Sequence, residues 1–152
     1  DNALLKARHA AAASGEWSLA DDSGIEIDAL DGRPGVYSAR FAGPGADDAA
    51  NNARLVAELG ARGLDRSRAR YRCVLVCARG PVDAAPLIAE GAWEGEVRTE
   101  ARGSGGFGYD PYFYPLDGAL SAAELDPLEK NRQSHRGQAL RALRRALLAA
   151  AR

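Results

Sequence analysis

Apolar and polar residues change rhythm several times along the chain, and each rhythm predicts an element. Residues 2–14 (NALLKARHAAAAS) are rich in alanine and leucine, follow an aspartate suited to capping, and run into Ser14-Gly15, so they predict a helix. Ser18-Leu19-Ala20 predicts a short buried strand leading into Asp21-Asp22-Ser23-Gly24, and Ile25-Glu26-Ile27-Asp28 alternates apolar and acidic residues as a half-exposed strand does. Asp31-Gly32 and Arg33-Pro34-Gly35 mark a turn, and an irregular loop with Tyr37, Arg40 and Phe41 follows to Gly45. A second helix, capped by Asp47 or Asp48, is expected to run to about Glu58, with Leu55, Val56 and Leu59 on its apolar side. Residues 62–68 read as a polar connector, 71–78 as a strand, 84–98 as a hairpin interrupted at Gly91 and Gly95, and 103–108 as a glycine-rich loop. Leu140, Leu143 and Leu147 recur at helical spacing within a last helix over 136–151. No repeat or linker interrupts this order, which predicts one α/β or α+β domain.

Composition bounds the class. A chain of 152 residues fits one domain, which buries roughly 68–70% of the surface that its unfolded form exposes. The 20 basic and 21 acidic residues leave a net charge of −1, which gives no footprint for general nucleic-acid binding. No apolar run approaches the ~18 residues of a membrane helix, and DNALLKARHA is not a secretory leader. The chain contains no methionine, so a segment is expected in front of Asp1. Two lysines, Lys6 and Lys130, stand among 18 arginines, a bias that suits a GC-rich coding sequence and leaves most arginines needing no functional account. Cys73 and Cys77 lie in an apolar strand, and four residues of strand span about 13 Å, too far for a disulfide. Their spacing is not that of a zinc site either, so they are expected as buried thiols of a reducing cytoplasm.

Three stretches can carry chemistry. Adjacent carboxylates on a strand, Asp21 and Asp22, point to opposite faces and so do not share a proton; one can still ligate a hard cation while the other orients the turn. Few protein oxygens plus retained waters and substrate phosphates is what Mg²⁺ prefers. An Asx-turn with Ser23 bonded to local backbone accounts for the same residues. Glu26 and Asp28 extend the acidic run and fit a solvated strand face. The run from Gly103 to Pro111, GSGGFGYDP, is neither a P-loop nor a dinucleotide fingerprint. Aromatics set between glycines suit a loop that brings backbone near a flat ligand, with Phe107 or Tyr109 as a stacking face and Asp110 as an acceptor for ring N–H groups; a tight hairpin with inward aromatics suits them equally. In KNRQSHRG, Ser134 can cap the last helix and place His135 and Arg136 in its first turn, where free N–H groups favour anionic or carbonyl oxygens. A capped, solvated helix start is the plainer alternative. His9 sits in an alanine-rich helix with no evident partner, and one histidine beside a capping serine does not make a hydrolytic triad.

In their order, LADDSGIEIDALDGRPGVYSARFAG, GSGGFGYDPYF and ELDPLEKNRQSHRGQAL resemble the inosine/xanthosine triphosphate pyrophosphatases, the RdgB-type ITPases, and NALLKARHAA resembles that family's second segment. The resemblance implies a mixed α/β fold with an elongated central sheet and flanking helices, two lobes around a nucleotide cleft, and a homodimer in the cytoplasm. The implied reaction is Mg²⁺-dependent cleavage of ITP, dITP or XTP to the monophosphate and pyrophosphate. It implies that Asp22 is a metal-associated general base, Asp21 its acidic neighbour at the metal, and Ser23 a substrate contact. Phe107, Gly108, Tyr109 and Asp110 match the family's nucleotide loop, with Phe107 the stacking ring, and Lys130, His135 and Arg136 match further substrate contacts. Donors from Arg136 or His135 would favour the 6-oxo purines; guanine shares that group, so its 2-amino group must be what is refused. The family's opening strand, its Ser/Thr-x-Asn-x-x-Lys triphosphate loop and a further acidic metal ligand have no counterpart in this sequence, so the 152 residues are expected as a single but N-terminally incomplete pyrophosphatase domain. A catalytically inactive nucleotide-binding fragment and a Maf-type pyrophosphatase are the alternatives; the SHR and FGYD elements argue against the second.

Overall fold

A computed structural model describes residues 1–116 and 118–152 as a mixed α/β fold. In chain order the elements are α1 (Asn2–Ser14), β1 (Ser18–Ile27), β2 (Pro34–Gly35), α2 (Asp48–Ala61), β3 (Arg66–Ala78), β4 (Leu87–Arg98), β5 (Phe113–Pro115), α3 (Pro127–Gln133) and α4 (His135–Ala150), with single 3₁₀ turns at 28–30, 38–40, 110–112 and 122–124. The strands form one sheet in the order β2-β1-β3-β4-β5; β1 pairs antiparallel with β2 and β4 with β5. The chain divides into two compact units, and β1, β3 and β4 each contribute residues to both. Among the described residues no helix is long and apolar enough to cross a membrane.

The first unit comprises residues 1–23, 72–92 and 134–152. Here β3 is buried on both faces, which explains its nearly unbroken apolar run. Cys73, Leu75 and Cys77 pack with Ala89 and with Ala139 and Leu143 of α4, while Val76 and Ala78 pack with Ala20 and with Ala3 and Ala7 of α1. The period of two along a strand sends alternate residues to the two helices. Both cysteines are free and buried, as their strand position predicts. Alanine at 3, 7 and 11 gives α1 a narrow inward stripe. The helix stops where Gly15, at φ 72°, returns its N–H to the Ala11 carbonyl. Asp1 holds the N-cap position but makes no side-chain cap bond.

The second unit comprises residues 24–71 and 93–133. Its core gathers Ile25, Ile27, Leu30, Leu55, Leu59, Tyr71, Trp93, Val97, Tyr109 and Phe113. Phe113 lies between Tyr71 and Trp93, with ring centroids 4.6 and 5.2 Å away. Asp47, not Asp48, caps α2, accepting from the Ala50 N–H at 2.8 Å.

Several expectations are corrected. The segment 84–98 is no broken hairpin: residues 87–98 of it are one strand, β4, and its glycines are sites of close approach rather than breaks. A Cβ at Gly91 would run into the His135 carbonyl oxygen, and one at Gly95 would sit 2.5 Å from the Tyr114 carbonyl oxygen. The pieces 18–20 and 25–28 are one continuous strand that ends at Ile27. The connector 62–68 is strand from Arg66 onward, because its exposed arginines meet acidic partners: Arg68 Nη2 lies 3.7 Å from Glu94, and Arg66 Nη1 lies 3.7 Å from Glu96. Helix α2 continues past Glu58 to Ala61. Helix α4 begins at His135 and turns Ala139 and Leu143 inward, leaving Leu140 about half exposed. The short helix α3 was not expected at all. It buries no residue, so no apolar period announces it. The close approach at Gly91 supports a stability prediction. Gly91→Ala must push β4 away from the first turn of α4, and an overpacking cost of about 2–3 kcal/mol should lower the melting temperature by roughly 4–12 °C. A scanning calorimetry trace within 2 °C of wild type would contradict the close approach.

Candidate active site

Two constellations hold the residues singled out from the sequence, one in each unit. In the first, β1 presents Asp21 and Ser23 to one side and Asp22 to the other, as adjacent strand carboxylates should be. The Ser23 hydroxyl donates to Asp21 Oδ1 at 2.6 Å, so it serves its neighbour's side chain rather than local backbone, against the Asx-turn alternative. Arg136 Nε donates to Asp21 Oδ2 at 2.7 Å and its Nη2 to Oδ1 at 3.4 Å. The Cys73 thiol also lies 3.7 Å from Oδ2. Arg136 is delivered by the first turn of α4, which Ser134 caps by accepting from the Gly137 N–H at 3.1 Å. His135 precedes it and is buried. Asp22 takes a different partner: Lys6 of α1 lies 3.0 Å from Oδ1. The helix spacing that puts Ala3, Ala7 and Ala11 inward leaves Lys6 outward and able to reach back to β1.

Burial works to raise the Asp21 pKa, but hydrogen bonds from Arg136 and Ser23 outweigh it, and the carboxyl sits below its usual value of 3.8. A depressed folded-state pKa contributes stability that is complete above the unfolded value and is lost as pH falls through the folded one. Asp21→Asn should therefore lower stability at pH 7 and flatten its decline below pH 4. Urea midpoints measured from pH 7 to pH 2 check this; parallel curves for the two proteins would contradict it.

In the second constellation the glycine-rich loop leads into the 3₁₀ turn at 110–112. Asp110 is buried at its centre. It accepts from Lys130 Nζ at 2.5 Å and the Phe107 N–H at 2.9 Å through Oδ2, and from the Tyr71 hydroxyl at 3.0 Å through Oδ1. The Tyr71 phenol is pushed well up by burial first and then by the Asp110 charge, so it stays a donor. Tyr109 is buried and donates to the Ser38 carbonyl at 2.6 Å; burial, then the charge of Asp48, raises its pKa. Phe107 is the exposed ring of the loop, at 60%, with Lys130 Nζ 4.6 Å from its centroid. Of the two aromatics considered for stacking, only Phe107 therefore presents a face. Gly108 adopts φ 60°, a conformation that favours glycine, and both its backbone groups are taken by α2. Its N–H donates to Asp48 Oδ2 at 2.7 Å, and its carbonyl accepts from Asn52 Nδ2 at 3.0 Å. Asp110 thus shapes the loop, and its accepting capacity is largely spent on protein donors.

Sequence reasoning missed Tyr71, Ser38, Asp48 and Asn52 as supports of this loop. Lys6 carried one signal, a lysine surviving in an arginine-biased chain. Among the described residues no group of three or more His, Cys, Asp or Glu could hold a metal ion by itself. Both neighbouring carboxylates are partly exposed and each meets a cation: Asp22 is paired with Lys6 at 3.0 Å and Asp21 with Arg136 at 2.7 Å.

The chain as a whole is similar to known proteins. The Ham1 family model matches residues 1–146. A dITP/XTP pyrophosphatase of Thioalkalivibrio sulfidiphilus is 57% identical over 143 residues, which cover 94% of this chain and 73% of that protein. A dITP/XTP pyrophosphatase of Chromobacterium violaceum is 58% identical over 151 residues, covering 99% of this chain and 76% of that protein. The solved structure of a HAM1 protein from Coxiella burnetii superposes with a TM-score of 0.92 at 49% identity, covering 97% of this chain and 75% of that one.

Proposed function

The chain belongs to the Ham1 family, and from that premise we propose that it hydrolyses deaminated purine nucleoside triphosphates (ITP, dITP and XTP) to the monophosphate and pyrophosphate. It is a nucleoside-triphosphate pyrophosphatase. The observation that supports the residue assignment is the division of labour along β1: Asp21 is bonded to Arg136 and Ser23, whereas Asp22 is paired with the exposed Lys6, a flexible side chain that can give way to substrate. Water attacks the α-phosphate; Asp22 orients or deprotonates it, and Lys6 offers a cation for phosphate oxygens once it leaves the carboxylate.

Mg²⁺ suits this donor set, because it binds through one or two carboxylates, substrate phosphates and retained waters. Asp22 would hold it directly and Asp21 would steady the turn; when bound, the ion would neutralise phosphate charge. Phe107 supplies the stacking face for the purine, on a loop whose backbone is set by Gly108, Tyr109, Asp110 and Lys130. Arg136 and His135, with Ser23 beside them, supply donors for the 6-oxo group that distinguishes hypoxanthine and xanthine from adenine. We take residues 1–152 as one pyrophosphatase domain, since three strands run through both units. A homodimer acting on the cytoplasmic nucleotide pool completes the proposal, and the two free buried thiols suit that compartment.

The deciding assay is pyrophosphate release from ITP, XTP, dUTP, ATP and GTP with Mg²⁺. It is run on this chain and on a form extended by the triphosphate-gripping segment that the resemblance implies. Preference for ITP and XTP is expected. An extended form without that preference would overturn the substrate assignment, and a preference for dUTP would favour the Maf-type alternative. Turnover only by the extended form would make this chain a binding module.

A further inference from the structure

We propose that Asp48 and Asn52 are positioning residues for base recognition: from one face of α2 they clamp both backbone groups of Gly108 and so fix the ring of Phe107. The inference rests on the role proposed for Phe107. The loop is held along its length. The Phe107 N–H is tied to the Asp110 carboxylate, and the Phe107 carbonyl accepts from the Asp110 N–H at 3.2 Å. The Tyr109 hydroxyl is tied to the Ser38 carbonyl, and Gly108, between them, is tied to α2 through both its N–H and its carbonyl. The peptide joining Phe107 to Gly108 has its N–H aimed at Asp48 Oδ2 at 2.7 Å, and the next peptide has its carbonyl aimed at Asn52 Nδ2 at 3.0 Å. With the peptides on both sides of Phe107 fixed, its exposed ring has few backbone directions left. Nothing within 4 Å crowds a Cβ at Gly108, so the residue there answers to backbone conformation (φ 60°) and the clamp, not to lack of room.

The second observation is what Asn52 gives up. It is buried, and its Oδ1 has no hydrogen-bond partner among the described residues. A buried unpaired acceptor is destabilising, so a residue chosen for stability alone would not be an amide. The amide makes sense if donation to the Gly108 carbonyl is what the position supplies. Asp48 and Asn52 are four residues apart, one helical turn, and therefore address the same side of the loop. Neither side chain needs to touch the nucleotide: the effect passes through Gly108 to Phe107.

Two measurements on the whole chain test this. The first is amide hydrogen exchange at Gly108 without nucleotide. Asp48→Ala should speed exchange there at least about tenfold, and Asp48→Asn, which keeps an acceptor, should restore most of the protection. The second is the calorimetric dissociation constant for IMP and AMP. Asp48→Ala and Asn52→Leu should each weaken IMP about tenfold, and in a Phe107→Ala background neither should weaken it further. Leucine fills the Asn52 site while removing its unpaired acceptor, so folding is retained and the melting temperature should not fall. Unchanged Gly108 exchange in Asp48→Ala would overturn the clamp. Faster exchange with unchanged IMP affinity, or an equal loss on the Phe107→Ala background, would overturn its role in base recognition. A wild type that binds IMP and AMP alike would instead sink the functional proposal and the base-recognition role with it, while the exchange data would still decide the clamp.

Discussion

Asp22→Asn should lower turnover of ITP by about 10²–10⁴-fold, the range expected for loss of a general base, while the dissociation constant for IMP changes less than about twofold. The asymmetry follows from geometry. Asparagine is nearly isosteric, and the Asp21 network with Arg136 and Ser23 lies on the other side of the strand, so the groups assigned to the base are undisturbed. The lost contact with Lys6 costs little in folding, because an ion pair with side chains 57% and 28% exposed contributes at most about 1 kcal/mol. Lys6→Met should show the same small stability loss, which separates the folding effect from the chemical one. Single-turnover kinetics with ITP, together with IMP titration, checks this. Turnover within threefold of wild type would remove Asp22 from the catalytic role, and a parallel loss of IMP affinity would make it a binding residue instead.

Asp110→Ala is expected to be the most destabilising change near the nucleotide loop, at about 3–5 kcal/mol, because it leaves a lysine, a phenol and a backbone N–H without their shared buried acceptor. For a chain of this size that lowers the melting temperature by roughly 6–20 °C. The Lys130 side chain is only 17% exposed, so its charge is poorly served by solvent once Asp110 is gone. Neutralising both partners, as Asp110→Asn with Lys130→Met, should recover much of the loss, since the cost comes from orphaning one charge more than from lacking the pair. Thermal melts of the single and double variants decide this. A single variant that melts within 3 °C of wild type, or a double variant no better than the single, would show that the pair is not the centre of the loop.

The helices α1, α2 and α4 were legible because alanine and leucine stripes, caps and a terminating glycine all pointed the same way. The strand around Cys73 was legible because burial on both faces leaves an apolar run that little else produces. Strand continuity at Gly91 and Gly95 was not, because the reason for glycine there is a neighbour distant in sequence: the His135 carbonyl in one case and Tyr114 in the other. The start of β3 at Arg66 was hidden for a similar reason, since its arginines look like linker until Glu94 and Glu96 arrive beside them. At the site, the divergence of Asp21 and Asp22 followed from strand period alone. Their partners did not, because Arg136 is 115 residues from Asp21 and no local spacing encodes the pairing. Gly108 was visible as part of a loop; its holders on α2 were not, as one of them looked like a helix cap.

If Arg136 meets the base as proposed, its contact with Asp21 would bear on selectivity in a way that distances alone do not express. A free arginine that greets a ligand surrenders rotamer entropy of about 0.5–1.5 kcal/mol per immobilised side chain. Here that loss is taken during folding, when Asp21, with Ser23 beside it, orients the guanidinium. A purine that offers a carbonyl would meet a donor already aimed, whereas one that offers an amino group would meet a donor that cannot swing aside without breaking with Asp21. Under the role proposed for Arg136, rigidity of this kind would reward the right base and penalise the wrong one through the same pair of hydrogen bonds.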